Sequence, residues 1–374
     1  MGPLSGFRII EIGSIGPGPF CGMLLADMGA NVLRIERPGH SAPGADLPRQ
    51  YQLMNRSRPA ISLDLKTPAG VHRVLEFCER ADALFEGNRP GVMEKLGLGP
   101  TECMAANPRL VYGRMTGWGQ EGPLATMAGH DANYAAISGA IGAIGPREGP
   151  PVLPLNLVAD FGGGGAYLAI GLLAALLEAQ RSGKGQVVDA AMVDGVASLM
   201  TLFYGLLAAG AWKDRRGSNL LDGAAPFYRP YRTQDDEYVV VCAIEPQFFL
   251  ELLQKAEVDG IDPADQFDGS CWAEHIAVLE RRFASKSRDH WAAVFDGSDA
   301  CVAPVLSLRE APEHPHNRER ATFIEIDGIV QPAPAPRFSR TPSAVSRAGS
   351  ETEVDREILE NVWGIDAAEF GHKK

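Results

Sequence analysis

Arg8-Ile9-Ile10-Glu11-Ile12-Gly13-Ser14-Ile15-Gly16-Pro17-Gly18-Pro19-Phe20 is the stretch on which the fold turns. A short β-branched run stops at a glycine-rich turn, and the small and apolar residues from Pro19 to Met28 continue as a helix. A second β-branched run, Asn31 to Ile35, follows directly, so the segment predicts strand, helix and parallel strand. The alternation recurs over the first 190 residues, with strands predicted at Ala60 to Asp64, Ala83 to Glu86, Leu110 to Met115 and Gln186 to Ala190. A helix over Pro68 to Arg80 starts after Thr67, an N-cap residue with proline just inside. The fold class is therefore α/β with a mostly parallel sheet.

The same turn imitates a dinucleotide-binding unit, since Glu36 closes the second strand about twenty residues further on. The spacing departs from G-x-G-x-x-G, however, and Pro17 and Pro19 remove backbone N–H groups where a pyrophosphate needs them. NAD is thereby set aside. Arg37, Arg89 and Lys95 each come after a predicted strand, and cations at strand ends suit a phosphorylated ligand. Taken singly, each reads as a solvated surface charge.

With 374 residues, 45% of them hydrophobic, the chain can build two domains with real cores. A formal charge of −12 argues against a nucleic-acid or anionic-membrane binder. The six cysteines include no C-x-x-C pair, and His314-Pro315-His316 has no third ligand cluster, so no metal site is predicted. Residues 1 to 20 lack the basic start and apolar run of a signal peptide, and Gly371-His372-Lys373-Lys374 is not an S-K-L ending, so a cytoplasmic location is expected. The uncharged run Val196 to Trp212 is too short and too polar for a membrane span and predicts a buried helix. Such an all-round apolar helix must be covered, by the core or by a second subunit.

These signals divide the chain into a large domain over residues 1–190, completed by about 325–374, a linker with the long apolar helix over 191–227, and a small domain over 228–324. A helix is predicted from Gly165 to Gln180, ended by Arg181-Ser182-Gly183-Lys184-Gly185. The small domain opens with a hairpin, Pro230 to Thr233 and Tyr238 to Ala243, around Gln234-Asp235-Asp236-Glu237. A proline-rich stretch from Pro332 to Pro342 precedes a last helix, Val354 to Trp363.

Two segments carry the chemistry. Gly129-His130-Asp131-Ala132-Asn133-Tyr134 and Val158-Ala159-Asp160-Phe161, the latter running into Gly162 to Gly165, supply a histidine and two carboxylates. Moving a proton on and off carbon needs one group to accept and another to donate. Read plainly, His130 is a loop or core histidine, while Asp160 and Glu245 are helix caps.

Gly16-Pro-Gly-Pro-Phe-Cys-Gly-Met-Leu-Leu-Ala-Asp-Met-Gly-Ala-Asn-Val, Ile35-Glu-Arg-Pro-Gly, Leu63-Asp-Leu-Lys, Asn88-Arg-Pro-Gly-Val-Met, Thr116-Gly-Trp-Gly-Gln-Glu-Gly-Pro and Gly129-His-Asp resemble the signatures of the class III CoA-transferase family. The resemblance runs from Pro3 to the Phe323 region and Pro336-Arg337-Phe338-Ser339. It implies a Rossmann-like large domain, a smaller α+β domain and two chains interlocked as a homodimer. It also implies that CoA, as part of the substrate, is held at Arg37, Leu63, Asp64, Leu65, Lys66, Gly87, Asn88, Arg89 and Lys95, and along Gly129, His130, Asp131, Ala132, Asn133 and Tyr134. Lys95 stands where racemase-type members often carry arginine, offering a point charge instead of a bidentate fork.

Transferases and racemases share this family. In the transferases an aspartate matching Asp131 forms a mixed anhydride, whereas racemases place a histidine before it, as His130 stands here. The resemblance thus implies a cofactor-independent racemase interconverting (R)- and (S)-2-methylacyl-CoA thioesters through an enolate. His130 and Asp160 would be the acid/base pair, Glu245 would hold the histidine, and the amides of Asp131 to Asn133 would face the enolate oxygen. The alternative is CoA transfer between carboxylic acids through Asp131.

Overall fold

A computed structural model describes residues 2–39, 47–348 and 356–364. The chain divides into two compact units, one of Met1–Ser138, Pro154–Leu199 and Arg318–Lys374, the other of Gly139–Leu153 and Met200–Asn317. Residues 139–153 thus group with the second unit and 191–199 with the first, a division that contiguous sequence blocks do not anticipate.

In the first unit β1 (Arg8–Ile12), α1 (Pro17–Asp27), β2 (Asn31–Glu36), β3 (Ala60–Ser62), α2 (Pro68–Cys78), β4 (Ala83–Glu86), α3 (Val92–Lys95), α4 (Pro100–Ala106), β5 (Val111–Thr116) and α5 (Asp131–Ile137) follow in order. A short α6 (Ala140–Ala143) belongs to the second unit. With β6 (Val187–Ala191), the strands form one six-stranded sheet in the order β3-β2-β1-β4-β5-β6, every pair parallel. This order reverses direction between β1 and β4, and the crevice outside the carboxyl ends of strands at such a point is where open α/β sheets bind ligands. Every residue of β4 and β5 is buried, as strands covered on both faces require. Thr67 caps α2 as predicted, its hydroxyl accepting the Gly70 N–H at 3.1 Å.

Buried ion pairs sit in this unit. Glu11 on β1 pairs with Arg58, and Asp27 at the end of α1 pairs with Arg56 at 2.6 Å. Arg56 also donates to Gln331 (3.0 Å) and to the Pro332 carbonyl (2.7 Å), tying the C-terminal segment to the sheet. Such charges are tolerated inside only because their hydrogen-bonding groups are satisfied.

The glycine run behaves differently from the predicted helix start. Leu157–Ala166 is a ten-residue π-helix, and α7 (Tyr167–Ser182) continues it to a left-handed cap at Gly183, φ 75°. The composite Leu157–Ser182 is long and apolar enough on length and composition to cross a bilayer. It is packed, however: a side chain on Gly163 would meet the Val196 nitrogen at 2.7 Å, and one on Gly165 the Pro17 carbonyl at 2.6 Å. Glycine alone lets so wide a turn fit against α1 and α8 (Met192–Leu199).

The predicted single buried helix from Val196 to Trp212 is also corrected. It breaks at Met200 into α8 and α9 (Thr201–Ala208), and no residue of α9 is buried within the chain; Leu202, Tyr204 and Leu207 are exposed.

The second unit has a three-stranded antiparallel sheet, β7 (Tyr228–Arg232), β8 (Tyr238–Cys242) and β9 (Val302–Pro304), under α10 (Pro246–Lys255), α11 (Trp272–Phe283) and α12 (Arg288–Phe295). Its core gathers Phe227, Tyr231, Phe249, Phe283 and Trp291. After α13 (Pro315–Glu319) the hairpin β10 (Phe323–Ile326) and β11 (Ile329–Pro332) leads back into the first unit. There α14 (Arg356–Asn361) is followed by Trp363, which packs edge-on against Phe77 with ring centres 5.6 Å apart. Val354, Asp355 and the Gly371 to Lys374 ending lie outside the described residues.

Candidate active site

The turn after β1, Arg37 after β2, Leu63 to Lys66 after β3 and Gly87 to Arg89 after β4 all emerge at the carboxyl edge of the parallel sheet. The pairings Ile12↔Ile35, Glu36↔Ser62 and Glu86↔Arg114 hold these ends level. Arg37 donates to the Asn88 side-chain oxygen at 3.4 Å, joining two of the loops. Asp64 accepts the Lys66 N–H at 3.0 Å and shapes the third. Arg37, Lys66, Arg89 and Lys95 are exposed, but the Leu65 side chain is buried in the core, so at that position only backbone is left for a ligand.

Behind the Asn88 loop lies Glu86, almost wholly buried. Its carboxylate accepts the Asn88 N–H at 2.6 Å and lies 3.6 Å from Arg114, which also binds Glu94 at 2.8 Å. Burial pushes the Glu86 carboxyl up to about 7, against the opposing pull of the Asn88 amide and Arg114.

His130 is the N-cap of α5, extended at φ −134° and ψ 171°, and its N–H is received by the Asn133 side chain at 3.0 Å. The histidine is exposed and Asp131, one residue on, is buried. Asp131 Oδ1 accepts two backbone amides of the π-helix, from Ala159 at 2.9 Å and Asp160 at 2.7 Å. The Asn133 N–H is taken by the His130 carbonyl (2.8 Å), so of the three amides expected to face an enolate oxygen this one is already engaged. Tyr134 stands edge-on to Trp118 with ring centres 4.6 Å apart, in space that a side chain at Gly117 or Gly129 would fill.

Asp160 is half-buried on the π-helix, and its Oδ2 accepts from Asn156 at 3.2 Å. Gly16, at φ 68°, faces it so closely that a Cβ there would lie 2.9 Å from Oδ2. Burial raises the Asp160 carboxyl above the ordinary carboxylate range, Asn156 and His130 pull it down, and Asp131 adds to the rise. Burial raises the Tyr134 phenol, Asp160 adds to the rise and Arg89 lowers it. The fold therefore gathers His130, Asp131, Asp160 and Tyr134 at one place, with Arg89 in electrostatic range.

Glu245 belongs to the second unit, where it is exposed at the N-cap of α10 and its carbonyl accepts the N–H groups of Phe248 and Phe249, both at 3.0 Å. Three neighbours had no readable signal: Gly16 looks like part of a loop, Asn156 precedes its partner by one irregular turn, and Glu86 resembles an ordinary strand end. Among the described residues no cluster of three or more histidine, cysteine or acidic side chains could hold a metal.

The chain is 45% identical to alpha-methylacyl-CoA racemase of Mus musculus over 359 residues, spanning 96% of this chain and 92% of that one. It is 43% identical to alpha-methylacyl-CoA racemase of Homo sapiens over 360 residues, with the same coverage. A CAIB/BAIF family protein from Brucella suis shares the fold at TM-score 0.81 and 24% identity, across 99% of this chain and 100% of the other. The family profile of CoA-transferase family III matches residues 4–351, and the chain belongs to that family.

Proposed function

We propose that the protein is an isomerase that interconverts the two configurations of a 2-methylacyl-CoA thioester by removing and returning the α-proton. The observation that carries this reading is the division of labour among the three groups. His130 is exposed and Asp160 half-open, whereas Asp131 is buried with Oδ1 occupied by two amides. A carboxylate that attacks an acyl carbon must be reachable, so the alternative, CoA transfer through Asp131, fits less well. Relatives bearing the racemase name across 96% of the chain point the same way.

An α-proton beside a thioester is weakly acidic, and its removal needs a base close to neutrality and stabilisation of the enolate oxygen. The imidazole of His130 is assigned to the first need. Burial favours the neutral acid of Asp160, which suits donation to the opposite face. In the reverse direction the roles exchange. No cofactor is required, because the thioester itself delocalises the carbanion.

For the CoA moiety we assign the phosphates to Arg37, Arg89, Lys66 and Lys95, and the adenine to the backbone of Leu63 to Lys66 and Gly87 to Asn88. The place of Arg37, Lys66 and Arg89 at the sheet's carboxyl edge supports this, as do the positive charges of all four on an acidic protein. Glu245 is assigned to holding the histidine. We further assign the active form as an interlocked homodimer, supported by α9, on which Leu202, Tyr204 and Leu207 are exposed within one chain. The working location is taken to be cytoplasmic.

The test is incubation of one enantiomer of a 2-methylacyl-CoA in deuterated water with no acceptor acid. Deuterium gain with loss of optical activity is expected. If neither occurs, and CoA instead moves to an added carboxylic acid with an acyl group trapped on the protein by hydroxylamine, the transferase reading replaces this one.

A further inference from the structure

We infer that Asp131 is a positioning residue, whose carboxylate caps the π-helix from outside and so fixes where the Asp160 side chain stands. The first turn of a π-helix leaves its N–H groups without acceptors inside the helix. Here the N-cap residue Asn156 makes no side-chain bond to those groups, and its amide is turned to the Asp160 carboxylate instead. The acceptor comes from another element. Asp131 Oδ1 receives Ala159 N–H at 2.9 Å and Asp160 N–H at 2.7 Å.

The consequence concerns both proton carriers. His130 is placed by the backbone at the start of α5, and Asp160 is placed by the side chain of the next residue, so one helix end fixes both. Asp131 Oδ2 is buried without a hydrogen-bond partner among the described residues, so the carboxylate engages the π-helix through Oδ1. Of the groups facing Asp160, Asn156 and His130 lower its proton affinity and Asp131 raises it, while Tyr134 lies in electrostatic range.

The inference rests on the racemase reading, and its test separates the two. Asp131→Asn keeps an acceptor oxygen but loses the charge; Asp131→Ala loses both. In the full-length protein Asp131→Ala should lower kcat about 100-fold with KM little changed, since misplacing a reacting group by about 1 Å costs that much. Asp131→Asn should stay within about tenfold of wild type. Loss of the charge lowers the Asp160 proton affinity. The direction in which Asp160 accepts the proton should then persist to lower pH, and the direction in which it donates should fail at lower pH. Amide hydrogen exchange over Leu157 to Phe161 should quicken in Asp131→Ala.

Wild-type turnover by Asp131→Ala would overturn the inference. So would an Asn variant as inactive as the Ala variant while these amides stay protected, because that marks a nucleophile; faster exchange in both would support the cap. Should Asp131→Ala not fold, the pH profile of Asp131→Asn decides, an unshifted profile counting against. If the wild type itself does not exchange the α-proton, the racemase reading fails, yet the amide measurement still upholds the cap or rejects it.

Discussion

Asp131 Oδ1 accepts the backbone N–H of Asp160 at 2.7 Å, so the carboxylate beside His130 grips the peptide of the residue proposed as the second proton carrier. The two acidic groups are thereby unequal. One is buried and engaged with the main chain; the other keeps a raised proton affinity and an open side.

Gly16 should tolerate no side chain. Its φ of 68° costs an alanine about 1–2 kcal/mol, and the new Cβ would stand 2.9 Å from Asp160 Oδ2. Gly16→Ala is expected to lower kcat at least about tenfold, a figure of the size that misplaced reacting groups produce, with a smaller change in KM. Steady-state kinetics with wild-type values would contradict this contact.

Asn156 donates to Asp160 Oδ2 and lowers its proton affinity. Asn156→Ala should therefore raise that affinity further. In the direction where Asp160 accepts the proton, kcat/KM should begin to fall at a higher pH than in wild type. An unmoved acidic limb would show that Asn156 does not tune the carboxylate.

How far the sequence reveals this molecule depends on the range of the interaction involved. β1 and β4 occupy the predicted residues, and the Thr67 cap forms as read, because a β-branched run or a cap is decided within a few residues. The π-helix was not legible. The glycine run reads as an ordinary helix start until Pro17 and Val196, remote in the chain, press against it. The apolar stretch after Val196 reads as one buried helix because composition carries no sign of the break at Met200 or of the exposure of α9. His130, Asp131 and Asp160 could be singled out by residue type, but the two bonds from Asp131 join positions 28 and 29 residues apart, where local pattern is silent.

Glu86 makes stability depend on pH in a defined sense. Its carboxyl stands at about 7 in the fold against an ordinary 4.5, so the folded state holds the proton more tightly. The associated stability is complete below the unfolded value and is lost as pH rises through about 7. Urea unfolding of Glu86→Gln should vary less between about pH 5 and about pH 8 than that of wild type. An equal pH dependence in both proteins would remove Glu86 as the source.

Leu202 and Tyr204 on α9 are more than half exposed within one chain, at 58% and 54%. Leu202→Glu should turn a dimer into a monomer in size-exclusion chromatography, since a charge placed in an apolar contact is left unpaired. A wild-type monomer, or a variant that remains dimeric, would refute an interface through α9.

The racemase reading requires two different side chains to serve the two faces of the α-carbon. Deuterium uptake into each enantiomer, followed separately in His130→Ala and Asp160→Ala, distinguishes two carriers from one. Neither variant should racemise, and each should still label one enantiomer with retention of configuration, a different one in each case. Loss of labelling from the same enantiomer in both variants, or racemisation at the wild-type rate in either, would rule out His130 and Asp160 as the two opposing carriers.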